Sequence, residues 1–352
     1  MASNISGKSA ILALYIPGTA DQWGTAGTLG AECGLVAESI GPIGEVAEMV
    51  PDPSAGYAWH EYIDKARQIV NPEISGLLRF AGKQWSLIAY CMGLDTPTGT
   101  PVSHVMTIVE AIDGTTKWGT LGLQLGPAAG ELLLEWPSVK MAGFTIEGPN
   151  GDGYYTYTVR TIADACLLGA DCGVDASAFD NVTFLQVNSV FPPPVPFGAT
   201  KFRVAAASGG ALADGNAVKI KSLNLTFNRN MGQEWNTRST AAKQWRTDEP
   251  VEEGIPEGTL TVEIGDLNAL TYMEQLQDET EVKADITIPY TATYGITIEF
   301  PCLKVVNVES AIAGANRIPQ KITYQMMEAQ SNPTGMAFNT WQLTLVDDKN
   351  VY

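Results

Sequence analysis

Residues able to do chemistry are thinly spread along this chain of 352 residues. It holds two histidines, His60 and His104, too few for a histidine-rich metal site. A Ser–His–Asp or Cys–His device needs a histidine oriented by a partner. His60 sits beside Trp59 in a loop-like stretch and His104 begins a strand, so both read as polar or interface residues. Ser6-Gly7-Lys8-Ser9 imitates the end of a phosphate loop, but the glycine required upstream would fall at Ala2, with no strand before it. Gly24, Gly27 and Gly30 lack a dinucleotide-fold context and read as a plain loop. The acid pairs Asp248-Glu249 and Glu252-Glu253 could hold a divalent cation or work as paired carboxylates. With Arg238, Lys243 and Arg246 close by, a solvated loop or a set of ion-pair partners between molecules is the plainer reading. Trp59 and Trp235 could stack on sugars or bases, or serve as packing anchors. The five cysteines form no C-x-x-C pair; Cys166 and Cys172 could bridge a loop, but buried free thiols are expected. Asn181-Val-Thr183 is a glycosylation acceptor only if the chain is secreted. No enzyme, no cofactor and no metal is expected.

Bulk composition agrees. Hydrophobic residues make up 45% of the chain and charged residues only 17%. Yet 39 acids face 21 bases, a net charge of −18, and such a field repels nucleic acid rather than gripping it. No apolar run is long enough to span a bilayer, and Met1 to Gly18 has no signal-peptide layout. The expectation is a protein made and kept in a cytoplasm, with no membrane partner.

The elements that would position these residues are mostly strands. Alternation marks Leu132 to Pro137, Val139 to Ile146, Tyr154 to Ala163, Val218 to Asn228, Gly258 to Ile264, Lys283 to Pro289, Tyr294 to Phe300, Leu303 to Val308, Lys321 to Met327 and Ala337 to Val346, with a strand break at each proline. Asn181 to Phe191 also reads as a strand, Tyr62 to Gln68 as helical or loop-like, and Cys166 to Ala178 as a loop. Lys83 to Met92 spaces its apolar residues as a helix, and Asp266 is a candidate cap for a second helix through Leu276. Pro192-Pro-Pro-Val-Pro196 is stiff and short of backbone donors, which suits a boundary. The chain therefore divides into a first domain with its N-terminal arm at 1–191, a linker at 192–200 and a second domain at 201–352.

One stretch occurs twice. Leu132 to Lys140 (LLLEWPSVK) and Ile296 to Lys304 (ITIEFPCLK) share an alternating strand, an acid–aromatic–proline break, and a new strand with a lysine. Proline removes a ladder donor, so the strand must bend or lie at an edge there. The flanks repeat in order: Gly56-x-x-Trp59 with Gly232-x-x-Trp235, Gly76-x-Leu78-x-Phe80 with Gly258-x-Leu260-x-Val262, and Tyr157-Thr-Val159 with Ile322-Thr-Tyr324. The first half carries an insertion near Thr96 to Lys117. A two-fold duplication follows.

The run from Ile220 to Leu276 resembles the tail tube (major tail) proteins of long-tailed bacteriophages. It has the strand Ile220 to Phe227, a long polar loop, Ile255 to Val262, an acidic turn and a short helix. The resemblance is good over 218–346 and fainter over 35–190. It implies a mainly β fold: two tandem β-sandwich or barrel domains, each with one short flanking helix. It further implies a structural virion protein whose rings stack into a tube and conduct DNA without specific binding. Partners would be further copies of itself, a tape-measure protein and tail-end proteins. The location would be the virion tail, assembled in the host cytoplasm. Because the chain is duplicated, three copies would close a pseudo-hexameric ring. Ring stacking is assigned to Trp235, Arg238, Lys243, Arg246, Glu249 and Glu253, with Trp59 and Tyr62 in the first half. The alternatives are a secreted or surface β-sandwich adhesion or carbohydrate-binding module, and another virion protein at the tail end or on the head.

Overall fold

Alternating sequence gives strands throughout: in the computed structural model 53% of the described residues are strand against 11% helix, a mainly β fold. The structure describes residues 10–16, 23–24, 26–42, 46–51, 63–109, 118–126, 132–149, 153–173, 176–186, 190–232, 249–265, 271–310 and 318–348. The first half begins with β1 (Ile11–Tyr15), β2 (Ser39–Gly41), β3 (Val46–Pro51), β4 (Ile63–Ile69) and β5 (Glu73–Leu77). Helix α1 (Gln84–Met92) leads to a hairpin, β6 (Gly93–Thr98) and β7 (Val102–Ile108). Then come β8 (Trp118–Leu125), β9 (Leu132–Gly148), β10 (Thr156–Ala163), β11 (Leu167–Leu168) and α2 (Ala176–Asp180). The second half has β12 (Lys201–Ala206), β13 (Ala217–Val218), β14 (Ile220–Asn228), β15 (Glu257–Ile264) and α3 (Thr271–Gln277). It ends with β16 (Glu281–Pro289), β17 (Gly295–Ser310), β18 (Gln320–Met327) and β19 (Gln342–Asp347).

Several local expectations change. Residues 63–69 form β4, which pairs with β3, so the segment is neither helix nor loop. Part of the expected loop at 166–178 is helix α2, and Phe184 makes one isolated bridge to Gly34 where a strand was expected. Asp266, the expected cap, lies outside the described residues.

The repeated stretch forms the two longest strands, and each is bent by its proline. Gly119 faces Val139 and Leu121 faces Trp136, which leaves Pro137 and Ser138 bulged. Val282 faces Leu303 and Ala284 faces Phe300, which leaves Pro301 and Cys302 bulged. A second irregularity follows at Ala142 in β9 and at Val306 in β17. Bulges bend a strand and increase its twist, so each long strand serves two sheets wrapped around one core. On one edge of β9, β8 covers 132–140 and β14 covers 143–148; β11 and then β10 line the other edge. On β17, β16 takes the place of β8, and β19 and β18 those of β11 and β10.

Register identifies the remaining equivalents. Strands β1, β2 and β5 of the first half correspond to β12, β14 and β15, and α1 corresponds to α3. The hairpin β6–β7 is the insertion. Two sequence matches shift. Val159 faces Phe144, and Ile322 faces Val308, each four residues beyond the shared lysine. So Val159 corresponds to Ile322, two residues from the sequence match, and Ile74 to Val262, six from it. Both slips are even. An even slip leaves every side chain on its own face, so a period of two cannot detect it.

The proline-rich stretch is extended, as its composition requires, and it is packed into the first half. Val195 is fully buried; its N–H donates to the Leu78 carbonyl at 2.8 Å, and its carbonyl accepts from Tyr155 N–H at 2.9 Å. Arg79 Nη1 donates to the Pro192 carbonyl at 2.8 Å. The prolines lack donors, so Val195 alone of Pro192–Pro196 can close such a ladder. All five cysteines are free thiols, four of them buried. Burial pushes the Cys91 thiol up to about 12.

Candidate assembly interface

The halves meet along a seam where β9 pairs with β14, antiparallel, from Gly143 opposite Asn228 to Gly148 opposite Leu223. The seam completes one sheet in the order β2-β5-β10-β9-β14-β15-β18-β17. Inward alternation places Phe144 and Phe227 together across it, ring centroids 5.6 Å apart. Trp341 lies 5.5 Å from Phe227 and 6.1 Å from Phe300, tying the seam to the second long strand. On the outward face Asn224 Nδ2 donates to Glu147 at 2.7 Å.

Two buried cations clamp the seam. Arg229 follows β14 and is fully buried. Its guanidinium donates to the carbonyls of Cys91 (2.9 Å), Met92 (3.1 Å) and Val109 (2.6 Å) and lies 3.0 Å from Glu252. Cys91 and Met92 end α1, so this arginine from the second half caps the last carbonyls of a helix of the first, the Met92 carbonyl being shared with the Val109 N–H. Lys140, also fully buried, donates to Glu249 at 2.7 Å and to the Pro250 carbonyl at 3.0 Å. Its counterpart Lys304 is 31% exposed and pairs with Glu279, itself 74% exposed. The same residue type is thus a buried clamp in one copy and a surface pair in the other. Lys140→Ala should cost about 3–5 kcal/mol, because it strands Glu249 beside a buried seam. Lys304→Ala should leave the unfolding midpoint of the isolated chain nearly unchanged. Urea titrations of both variants check the contrast.

A third contact joins the inserted hairpin to the second half. Strand β7 pairs with β19, and fully buried His104 lies 2.8 Å from Asp95 and 3.6 Å from Asp347. His104 is therefore an interface residue within the chain. The repeated glutamate is fully buried as Glu135 and half-buried as Glu299: desolvation raises the Glu299 carboxyl above its ordinary value, and Gln342 donates to it at 3.0 Å.

Of the residues assigned to ring stacking, Trp59, Tyr62, Trp235, Arg238, Lys243 and Arg246 lie outside the described residues. Glu249 is held by Lys140, and exposed Glu253 packs its side chain against Gly232, where an added Cβ would sit 2.0 Å away. Arg229 and Glu252 carry the seam, and sequence reasoning missed that pairing. The only signal was a cation placed directly after an alternating apolar strand. Among the described residues no helix is long and apolar enough to cross a membrane. No family model matches the chain, and no curated protein matches it.

Proposed function

We propose that this chain is a structural subunit of a phage tail tube. Copies close into rings, rings stack into a tube, and the genome passes through the lumen without specific binding. The observation that carries the reading is the seam: equivalent halves joined head to tail by β9 and β14, a heterologous contact of the kind that generates rings when its rotation closes. Each half fills one position, so three chains make a ring of six positions. The net charge of −18 supports the reading, since a wall of lysines would hold a passing phosphate backbone. A tape-measure protein within and tail-end proteins at the termini are the further partners, and the site of action is the virion tail. The stacking role of Trp59, Tyr62, Trp235, Arg238, Lys243, Arg246, Glu249 and Glu253 belongs to the same proposal. Concentrated, purified protein viewed by negative-stain electron microscopy should show rings and tubes. Single particles at every concentration would remove the reading.

A further inference from the structure

The two long strands differ in one respect. On the edge of β9 that β8 begins, β14 continues across residues 143–148. On the matching edge of β17, β16 ends at Lys304, and no strand among the described residues covers 305–310. Val306 is 49% exposed there, and Asn307, Glu309 and Ser310 are exposed. At the far end of the same sheet, β2 pairs only with β5 and leaves its other edge open among the described residues. Strand β2 is the counterpart of β14. Among the described residues the sheet therefore ends with one open edge of each kind that the internal seam joins.

Open edges are normally blunted by proline, lysine or a cover. The outermost strand of the inserted hairpin, β6, carries Pro97. The end of β17, Val-Val-Asn-Val-Glu-Ser, has no proline or lysine and a single charge. Half-buried Ile40 on β2 and Val308 on β17 stand where buried Leu223 and Phe144 stand at the seam.

We infer that the open edge of β17 takes β2 of a second copy of this chain, antiparallel, in the register of β9 with β14. Leu225 faces Ile146 at the internal seam, and their counterparts are Pro42 and Ser310. Ser310 of one copy therefore lies opposite Pro42 of the next. The second copy is the occupant because the chain already contains this contact once, made by equivalent strands. The new seam differs at the clamp: Lys304, the counterpart of Lys140, is already engaged by Glu279 at the surface. Contacts between chains are therefore weaker than contacts within one, and a tube should come apart into intact chains. This inference rests on the ring reading.

Pro42→Cys with Ser310→Cys tests it. Neither position contributes to the buried core, proline has no ladder donor to lose, and four of the five native thiols are buried. Facing Cβ atoms of an antiparallel pair lie about 4.5–5.5 Å apart, and a local shift of about 1 Å at these two exposed strand ends brings them within the roughly 3.5–4.5 Å of a disulfide. The expected result is covalent species of two and three chains on a non-reducing gel, absent from either single variant. Unmodified protein gives an independent readout: amide exchange at 307–310 should slow about tenfold or more in assembled tubes relative to dispersed chains. Tubes that form with no bridge and no added protection at 307–310 would overturn this seam and leave the ring reading intact. Absence of tubes, bridges and protection together would overturn both, and a bridge formed within one chain would overturn the seam.

Discussion

Arg229→Ala should lower the free energy of unfolding by about 3–5 kcal/mol, as removal of one partner from a buried charged network does. Three carbonyls and one carboxylate converge on this guanidinium, and two of the carbonyls belong to fully buried residues, Cys91 and Met92. Alanine would take the guanidinium from the Cys91 carbonyl and from the Glu252 carboxylate, whose side chain is 6% exposed, while the Met92 carbonyl keeps the Val109 N–H at 3.1 Å. Arg229→Lys should recover little, because an ammonium is a point charge and cannot reproduce a planar fork aimed at several acceptors. The loss should be cooperative across the seam, so tryptophan fluorescence and far-ultraviolet dichroism should shift together in urea. A loss below about 1 kcal/mol would mean that the seam is held by strand pairing alone.

Trp136→Ala and Phe300→Ala should each cost about 3–5 kcal/mol, the range for emptying a large aromatic site in a packed core. Both residues are fully buried, and each sits beside the bulge that lets its long strand pass from one sheet to the next. An alanine there removes the anchor of the bend as well as its volume. The two positions correspond, so Trp136→Phe installs the residue its counterpart already has and should cost less than half of the alanine loss. Thermal unfolding of the three variants measures this directly. A near-neutral Phe300→Ala with a severe Trp136→Ala would show that the halves, though equivalent in register, are not equivalent in packing.

Much of this fold is legible in the sequence because it is written in periods and breaks. Alternation gives β14, β15, β16 and β18 and both arms of β9 and of β17, and the helical spacing gives α1; the proline reads as a break between two strands, whereas the structure absorbs it as a bulge within one. What alternation cannot supply is register. The slips of two and six residues in matching the halves preserve facing, and only the partner strand resolves them. β4 was hidden because Asp64, Lys65, Arg67 and Gln68 mask any apolar period. The clamp was hidden for a different reason. Arg229, Glu249 and Glu252 fall in a polar stretch that reads as a solvated loop, and only the fold carries them against α1 and Lys140. A buried cation announces itself through its partners, and Glu249 lies 109 residues from Lys140 while the Met92 carbonyl lies 137 from Arg229.

The central claim is that the halves of one chain occupy successive positions of one ring. Averaged end-on images of assembled rings, with the chain count fixed by native mass, test it most directly. Three chains displaying six similar lobes, alternating between two slightly different seams, is the expected result. Rings of six chains, or rings whose lobes number the same as their chains, would contradict it.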